Sequence, residues 1–279
     1  MARRNVLSER GVSLNITILG SGTSAGVPMI GCHCPVCHSD DPRDRRSRTS
    51  IVVSYDAPDG APHNILIDTA QELRLQAVRE RLDYVSAVVF THAHADHIFG
   101  LDDVRRYNTT GGKALPLYAA PPTMETLLRV FPYAFQPPPP PCHEPRDAIF
   151  RPELLPVLID GPFDLFGRTW EPLDLPHGPT RVLGFRIGRF AYCTDCSAMP
   201  PAARQRLQDL DTLIIDGLRP RPHPTHLSFE QALAVIADLK PRRAFFTHLS
   251  HDMKHADIEA PLPDHVRVSY DGMKLQIAG

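Results

Sequence analysis

No run in this sequence approaches the ~18 consecutive apolar residues that a helical membrane span requires, so a membrane protein of that kind is not expected. A secretory signal is also missing. The paired Arg3 and Arg4 are followed by no apolar stretch, and the expected location is cytoplasmic. Excess basic charge is absent: 30 Lys and Arg stand against 32 Asp and Glu, a formal net charge of -2. Nothing here suggests a surface that coats nucleic acid. Internal repeats and charged tails are lacking. Cysteine is sparse, six in 279 residues, and a chain of this length buries enough core to need no disulfide framework. Three of the six cluster as Cys32, Cys34 and Cys37. In a reducing compartment such thiols are more often metal ligands than disulfide partners.

Short β-rich apolar runs are present in number: 15–19, 49–54, 64–67, 87–90, 185–187, 190–192, 212–215 and 244–246. Each is bounded by Gly, Pro, Asp or His. Helical patterns at Gln71 to Arg81 and Ser228 to Leu239 lie between them, the second opened by a Ser228/Gln231 capping box. Phe229, Leu233 and Ile236 share one face of that helix. The expectation is an α/β (α+β) fold of layered sheets with helices packed outside, in a single domain over 1–279. One biased segment, about 131–145, runs from Phe131-Pro132-Tyr133-Ala134-Phe135 into Pro137 to Pro141. It reads either as a plain surface insertion or as an aromatic wall beside a site.

The chemistry concentrates after the buried-strand pattern Ala87 to Phe90. There the chain reads His92-Ala93-His94-Ala95-Asp96-His97. Three imidazoles and a carboxylate within six residues, in the turn from a strand into a helix, suit Zn²⁺, Mn²⁺ or Fe²⁺. This motif resembles that of the metallo-β-lactamase superfamily, whose fold is an αββα sandwich. Further matching residues follow in the order that fold requires: His177 after Leu175-Pro176, Asp195 after Phe190 to Tyr192, and His248 after Ala244 to Thr247. The resemblance implies that His92, His94 and His177 hold one metal and that Asp96, His97 and His248 hold a second. Asp195 would bridge the two. The metals would be Mn²⁺ or Zn²⁺ with a bridging hydroxide as nucleophile.

Gly31-Cys32-His33-Cys34-Pro35-Val36-Cys37 presents C-x-C-x-x-C in a tight loop. Three thiolates need a fourth ligand for a closed structural Zn²⁺ site. His251, three residues after His248, is the candidate, with His33 and His38 nearer in sequence. Together with the dinuclear motif, this loop resembles the branch that contains phosphoribosyl 1,2-cyclic phosphate phosphodiesterase, over nearly the whole chain. A matching histidine is His226, 22 positions before His248. The resemblance implies that it contacts the phosphate and protonates the leaving oxygen. His223 is the alternative substrate-binding residue. Asp96 and His226 are thus the candidate catalytic groups.

The expected activity is hydrolysis of a small anionic phosphodiester, a cyclic ribose phosphate or nucleotide-like compound. Two alternatives stand beside it: a tRNA 3′-processing-type endonuclease, and a non-catalytic zinc-binding module. No Gly-rich basic arm suggests an RNA partner, no membrane partner is expected, and a homodimer is left open. Other features carry less. Gly20 to Gly26 is one residue off the dinucleotide fingerprint and reads as a turn at the rim of the site. Cys193 and Cys196 flank Asp195 by chance spacing. Arg43 to Arg48 reads as a solvated basic loop or a steering patch. Asp102, Asp103 and Arg105 read as a structural ion-pair group.

Overall fold

The computed structural model describes residues 13–136 and 151–278. Among them the strands form two mixed seven-stranded sheets. The first contains β1 (Leu14–Gly20), β2 (Ser50–Asp56), β3 (Pro62–Ile67), β4 (Ala87–Val89), β5 (Leu115–Ala119), β6 (Leu154–Leu158) and β14 (Lys274–Ile277), in the order β14-β1-β2-β3-β4-β5-β6. The second contains β7 (Phe163–Leu165), β8 (Arg168–His177), β9 (Thr180–Ile187), β10 (Phe190–Cys193), β11 (Thr212–Asp216), β12 (Arg243–Thr247) and β13 (Val266–Val268), in the order β13-β12-β11-β10-β9-β8-β7. Helices α1 (Leu73–Glu80), α2 (Ala95–Ile98), α3 (Arg105–Gly111) and α4 (Pro121–Val130) accompany the first sheet; α5 (Pro201–Arg206), α6 (Phe229–Leu239) and α7 (His255–Glu259) accompany the second.

Strand alternation dictates the layers. Ile65, Ile67, Ala87 and Val89 share one buried cluster with Trp170, Phe185, Tyr192 and Ile214 of the other sheet. Their neighbours Leu66 and Val88 point the opposite way, into a cluster with Leu73, Ile98, Leu101 and Leu127. On the far side Leu213, Ile215 and Phe246 meet Ala203, Ala232, Val235 and Leu239. Strands covered on both faces read as continuous apolar runs, which is why these segments stand out in the sequence. The result is a helix–sheet–sheet–helix sandwich, as expected. Among the described residues no helix is long and apolar enough to cross a membrane.

All eight expected strand runs coincide with strands, and α1 and α6 fill the two expected helices. The capping box is formed: Gln231 N donates to Ser228 Oγ at 3.3 Å and Ser228 N donates to Gln231 Oε1 at 2.8 Å. The face of α6 that carries Phe229, Leu233 and Ile236 turns to the core as expected, and Ala232, Val235 and Leu239 widen it. Ala232, Val235, Ile236 and Leu239 are its buried residues, and Phe229 and Leu233 pack at the edge. Phe131 and Ala134 are buried in the core beneath the first sheet, with Tyr133 and Phe135 packed against it. The remainder of that excursion, including Pro137 to Pro141, lies outside the described residues.

The topology gathers function at one edge. Strands β3 and β4 pair parallel, as do β10, β11 and β12. Their carboxyl ends release Asp68, His92, Asp195, Asp216 and His248, the crevice where open α/β sheets place their sites.

Candidate metal centres

Strand β4 ends at Val89, and Thr91 begins the turn that carries the motif. His92 Nε2 lies 2.9 Å from His94 Nδ1, which lies 3.2 Å from His177 Nε2. Three ligands on tetrahedral Zn²⁺ at ~2.0–2.1 Å would stand about 3.3 Å apart, so this spacing fits one cation. His177 closes β8, and its Nδ1 faces Thr225 O at 2.9 Å. The carbonyl can only accept, so His177 Nε2 is the nitrogen free to meet a cation. Gly178 permits that approach: a Cβ there would meet Thr225 Cγ2 at 2.5 Å.

Asp96, His97, Asp195 and His248 form the second cluster, all buried. His97 Nε2 lies 3.4 Å from Asp96 Oδ2 and 3.4 Å from Asp195 Oδ2. His248 Nε2 lies 3.1 Å from Asp195 Oδ1 and 3.7 Å from Asp96 Oδ2. Asp195 also groups with His177, a member of the first cluster. Burial opposes a charge on His97, yet Asp195, Asp68 and Asp96 hold its pKa well above the usual range. Burial likewise opposes ionisation of Asp96, and His97 and His248 hold its carboxyl far below the usual range. The carboxylates thus call for positive charge at their centre. His97 Nε2 and His248 Nε2 are buried without a hydrogen-bond partner. Orphaned imidazole nitrogens facing two carboxylates are a fitting donor set for a divalent cation. Exposed His94 leaves the mouth of the site open.

Backbone strain marks the same residues. Asp68, Asp195 and His248 have φ of 62°, 55° and 59°. Such conformations cost on the order of 1–3 kcal/mol each and cluster at functional sites.

Two aspartates escape sequence reasoning. Asp68, fully buried at the end of β3, accepts from Thr91 N at 2.8 Å and lies 2.7 Å from His97 Nδ1. It orients His97 with Nε2 inward. Asp216, fully buried at the end of β11, accepts from Cys196 N at 2.9 Å and lies 2.7 Å from His226 Nδ1. The signal for both was available: each ends an apolar run, Ile65-Leu66-Ile67-Asp68 and Leu213-Ile214-Ile215-Asp216.

His226 stacks on His248, with ring centroids 4.6 Å apart and an interplanar angle of 12°. Burial, then the neighbouring His248, pushes its pKa down to about 4. His223 lies 5.2 Å away, centroid to centroid. Its Nδ1 accepts from Thr225 N at 3.3 Å, so the ring proton sits on Nε2 and is available as a donor.

The cysteine loop is joined by a histidine into a group that could hold one cation. His251 Nδ1 lies 3.3, 3.4 and 3.7 Å from Sγ of Cys32, Cys34 and Cys37. Tetrahedral Zn²⁺ with S at ~2.3 Å and N at ~2.0–2.1 Å puts these atoms about 3.5 Å apart. His33 and His38 face each other instead, at 3.3 Å, so His251 prevails over both. Backbone N–H of Cys37, then His251, draws the Cys34 thiol down to about 6, while burial pushes Cys37 up to about 11.

Gly20 and Gly22 pack on the backbone of 46–48, where a Cβ would meet Arg48 O at 1.9 Å and Arg46 O at 2.5 Å, so the glycines serve close packing. Cys193 and Cys196 are core residues. Arg105 pairs with Asp102 at 2.7 Å. The basic run is solvated only in part: Arg45 is exposed and Arg43 pairs with Asp41 at the surface, whereas Arg46 is fully buried and Arg48 pairs with Glu72.

A family model described as a beta-lactamase superfamily domain matches residues 63–249. The chain belongs to the metallo-β-lactamase superfamily and is a hydrolase of that fold with clustered metal-ligating side chains. Within it the kinship is to the PhnP family: a crystal structure described as a new diphosphatase from that family is 42% identical, with a TM-score of 0.83, covering 95% of this chain and 97% of that one. An octanoyltransferase of Porphyromonas gingivalis is 36% identical over 92% of this chain, which spans only 50% of that protein. Coenzyme PQQ synthesis protein B of Xanthomonas axonopodis is 26% identical, covering 85% of this chain and 89% of that protein. The span matched by the family model holds His92, His94, Asp96, His97, His177, Asp195 and His248, whereas the cysteine loop and His251 fall outside it.

Proposed function

We propose that this chain hydrolyses a small phosphoric diester, a cyclic ribose phosphate or a nucleotide-like compound, at a dinuclear metal centre. The observation that carries the reading is the pair of ligand clusters joined through Asp195, with the His226–Asp216 pair beside them. One cation would be held by His92, His94 and His177, the other by Asp96, His97 and His248. When bound, Mn²⁺ or Zn²⁺ in this site supplies a water nucleophile at neutral pH and offsets charge on the phosphoryl oxygens. The chain's own residues orient and protonate. Asp68 and Thr225 O fix His97 and His177. Asp216 fixes His226 by Nδ1 and leaves Nε2 free. An anionic phosphoryl group beside His226 opposes the burial that holds it neutral, so the ring takes up a proton as substrate binds and delivers it to the leaving oxygen. His223 Nε2–H stands ready as a further donor to the substrate. The PhnP-family diphosphatase extends the same chemistry to a phosphoanhydride, whose leaving phosphate needs no added proton. Octanoyl transfer is not carried over, since that relative is twice as long as the part this chain matches.

A panel of cyclic ribose phosphates, cyclic nucleotides, dinucleoside diphosphates and precursor tRNA, assayed with Mn²⁺ and with Zn²⁺, tests the reading. Small substrates should be turned over with weak salt dependence, and tRNA negligibly. A formal charge of -2 supplies few of the phosphate contacts that drive RNA binding. Efficient tRNA 3′ cleavage that falls steeply with salt would overturn it.

The cysteine site would hold a structural Zn²⁺, giving three metals per chain. Cys34→Ser should lose that zinc and lower the melting temperature by roughly 5–10 °C, at about 2–4 °C per kcal/mol for a domain of this size. Full stability with full zinc content would refute the structural-zinc assignment.

A further inference from the structure

The turn after β12 carries both His248 and His251, three residues apart. Its backbone is held on several sides. Leu249 N donates to Ser21 O at 2.9 Å, Thr23 N donates to Leu249 O at 3.1 Å, and Ser250 N donates to Leu218 O at 2.9 Å. The carbonyls on either side of His251 both go to one side chain. Arg46 Nη2 donates to Met253 O at 3.0 Å, and Arg46 Nη1 donates to Ser250 O. Arg46 itself is fully buried and pairs with Asp44 Oδ1 at 3.0 Å. The same carboxylate oxygen accepts from His255 N at 2.6 Å. At the other end, Arg46 exchanges two backbone hydrogen bonds of 2.8 Å with Val27, at the foot of the cysteine loop.

A guanidinium is costly to bury, and an apolar side chain of similar volume often packs as well or better. Arg46 Nε even lacks a hydrogen-bond partner, so stability alone does not call for arginine here. What arginine supplies is a fork of donors to two carbonyls that meet no other donor among the described residues. His248 stands in left-handed backbone, φ 59°, a conformation that persists only where the surroundings over-determine it. The fork is one of the constraints that do so.

We propose that Arg46 is a positioning residue: with Asp44 it fixes the turn from His248 to Met253, and so couples the cysteine site to the dinuclear centre. This rests on the metal assignment above. A zinc-loaded Arg46→Met protein should therefore release dinuclear-site metal at roughly 10- to 100-fold weaker chelator competition than the wild type, the usual effect of removing an outer support. Metals per chain would be measured by elemental analysis after dialysis against graded chelator. The cysteine site would be followed separately, through the thiolate–cobalt absorption of Co²⁺-substituted protein. Arg46→Lys keeps the charge and loses the fork; it should shift metal release in the same direction, by less, and it secures a folded comparison if the methionine variant fails to fold. Wild-type metal retention in either folded variant, with only a lower melting temperature, would overturn the proposal and leave Arg46 merely structural. Fewer than three metals in the wild type would instead overturn the metal assignment itself.

Discussion

An Asp195→Ala variant is expected to lose turnover by on the order of 10³-fold or more while remaining folded. Asp195 follows β10 and is 2% exposed. Its two oxygens serve different partners: Oδ1 faces His248 Nε2 at 3.1 Å and Oδ2 faces His97 Nε2 at 3.4 Å. Thr194 Oγ1 donates to Oδ2 at 2.5 Å. No other carboxylate groups with residues of both ligand clusters among the described residues. Removing it would take away the negative charge shared by the two proposed cations, and with it the arrangement that would lower the pKa of a bound water from ~15.7 towards ~7, so even partial loss should cost several powers of ten. Alanine at φ 55° adds backbone strain of about 1–2 kcal/mol, which could be mistaken for the effect sought. Asp195→Asn controls for it, because asparagine tolerates left-handed backbone and keeps the shape while removing the charge. Both variants should show the same loss of turnover and fewer metals per chain, with Asp195→Asn melting closer to the wild type than Asp195→Ala, which carries the backbone strain. If Asp195→Asn keeps more than a tenth of wild-type turnover, the bridging role is wrong.

What the sequence disclosed depended on how local each signal is. The His92 to His97 motif sits in one turn and declares itself without a partner. His177, Asp195 and His248 are single residues far apart in the chain, and only the order in which a resembling family arranges them made them legible. Asp68 and Asp216 end apolar runs just as Asp195 does. An aspartate after a strand usually serves a turn, and only its contact with His97 or His226 separates an orienting carboxylate from that. Arg46 was hidden for the opposite reason. Its neighbours in 43–48 are basic, and a basic run reads as surface; the pairing with Asp44 and with carbonyls about 200 residues away exists only in three dimensions. Strand β8 carries two prolines and three charged residues, Arg168, Glu171 and Asp174, which mask it as a strand. Helix α4 opens on Pro121 and Pro122, a legitimate first-turn signal that went unread beside the proline-rich excursion. The aromatics of 131–135 read from sequence as a plain insertion or a wall, because aromatic residues invite both readings. In the fold Phe131 is buried beneath the first sheet and meets Phe99 edge-on at 6.3 Å, just after the His92 to His97 motif.

His226→Ala should separate proton delivery from phosphate binding. His226 is 8% exposed, with Nδ1 anchored on Asp216 Oδ2 at 2.7 Å and its ring stacked on His248. Anchoring by one nitrogen leaves the other as the only atom available to the substrate. An alkoxide is a poor leaving group, and a positioned acid is worth about 10²–10⁴ in rate for such a departure. The variant should therefore lose roughly 10²- to 10⁴-fold in kcat on cyclic ribose phosphates. A nitrophenyl phosphodiester needs no proton on its leaving oxygen, and a diphosphate needs little help, so both should lose far less. Because the metal ligands are untouched, metals per chain should stay at the wild-type level. Asp216→Asn should produce a weaker version of the same pattern, since it leaves the acid in place but frees its ring. Equal losses on all three substrates would mean that His226 binds the phosphate instead of protonating the leaving group. A fall in metal content would mean that its stacking on His248 holds the second cation's ligand in place, and that the histidine acts on the site's structure ahead of its chemistry.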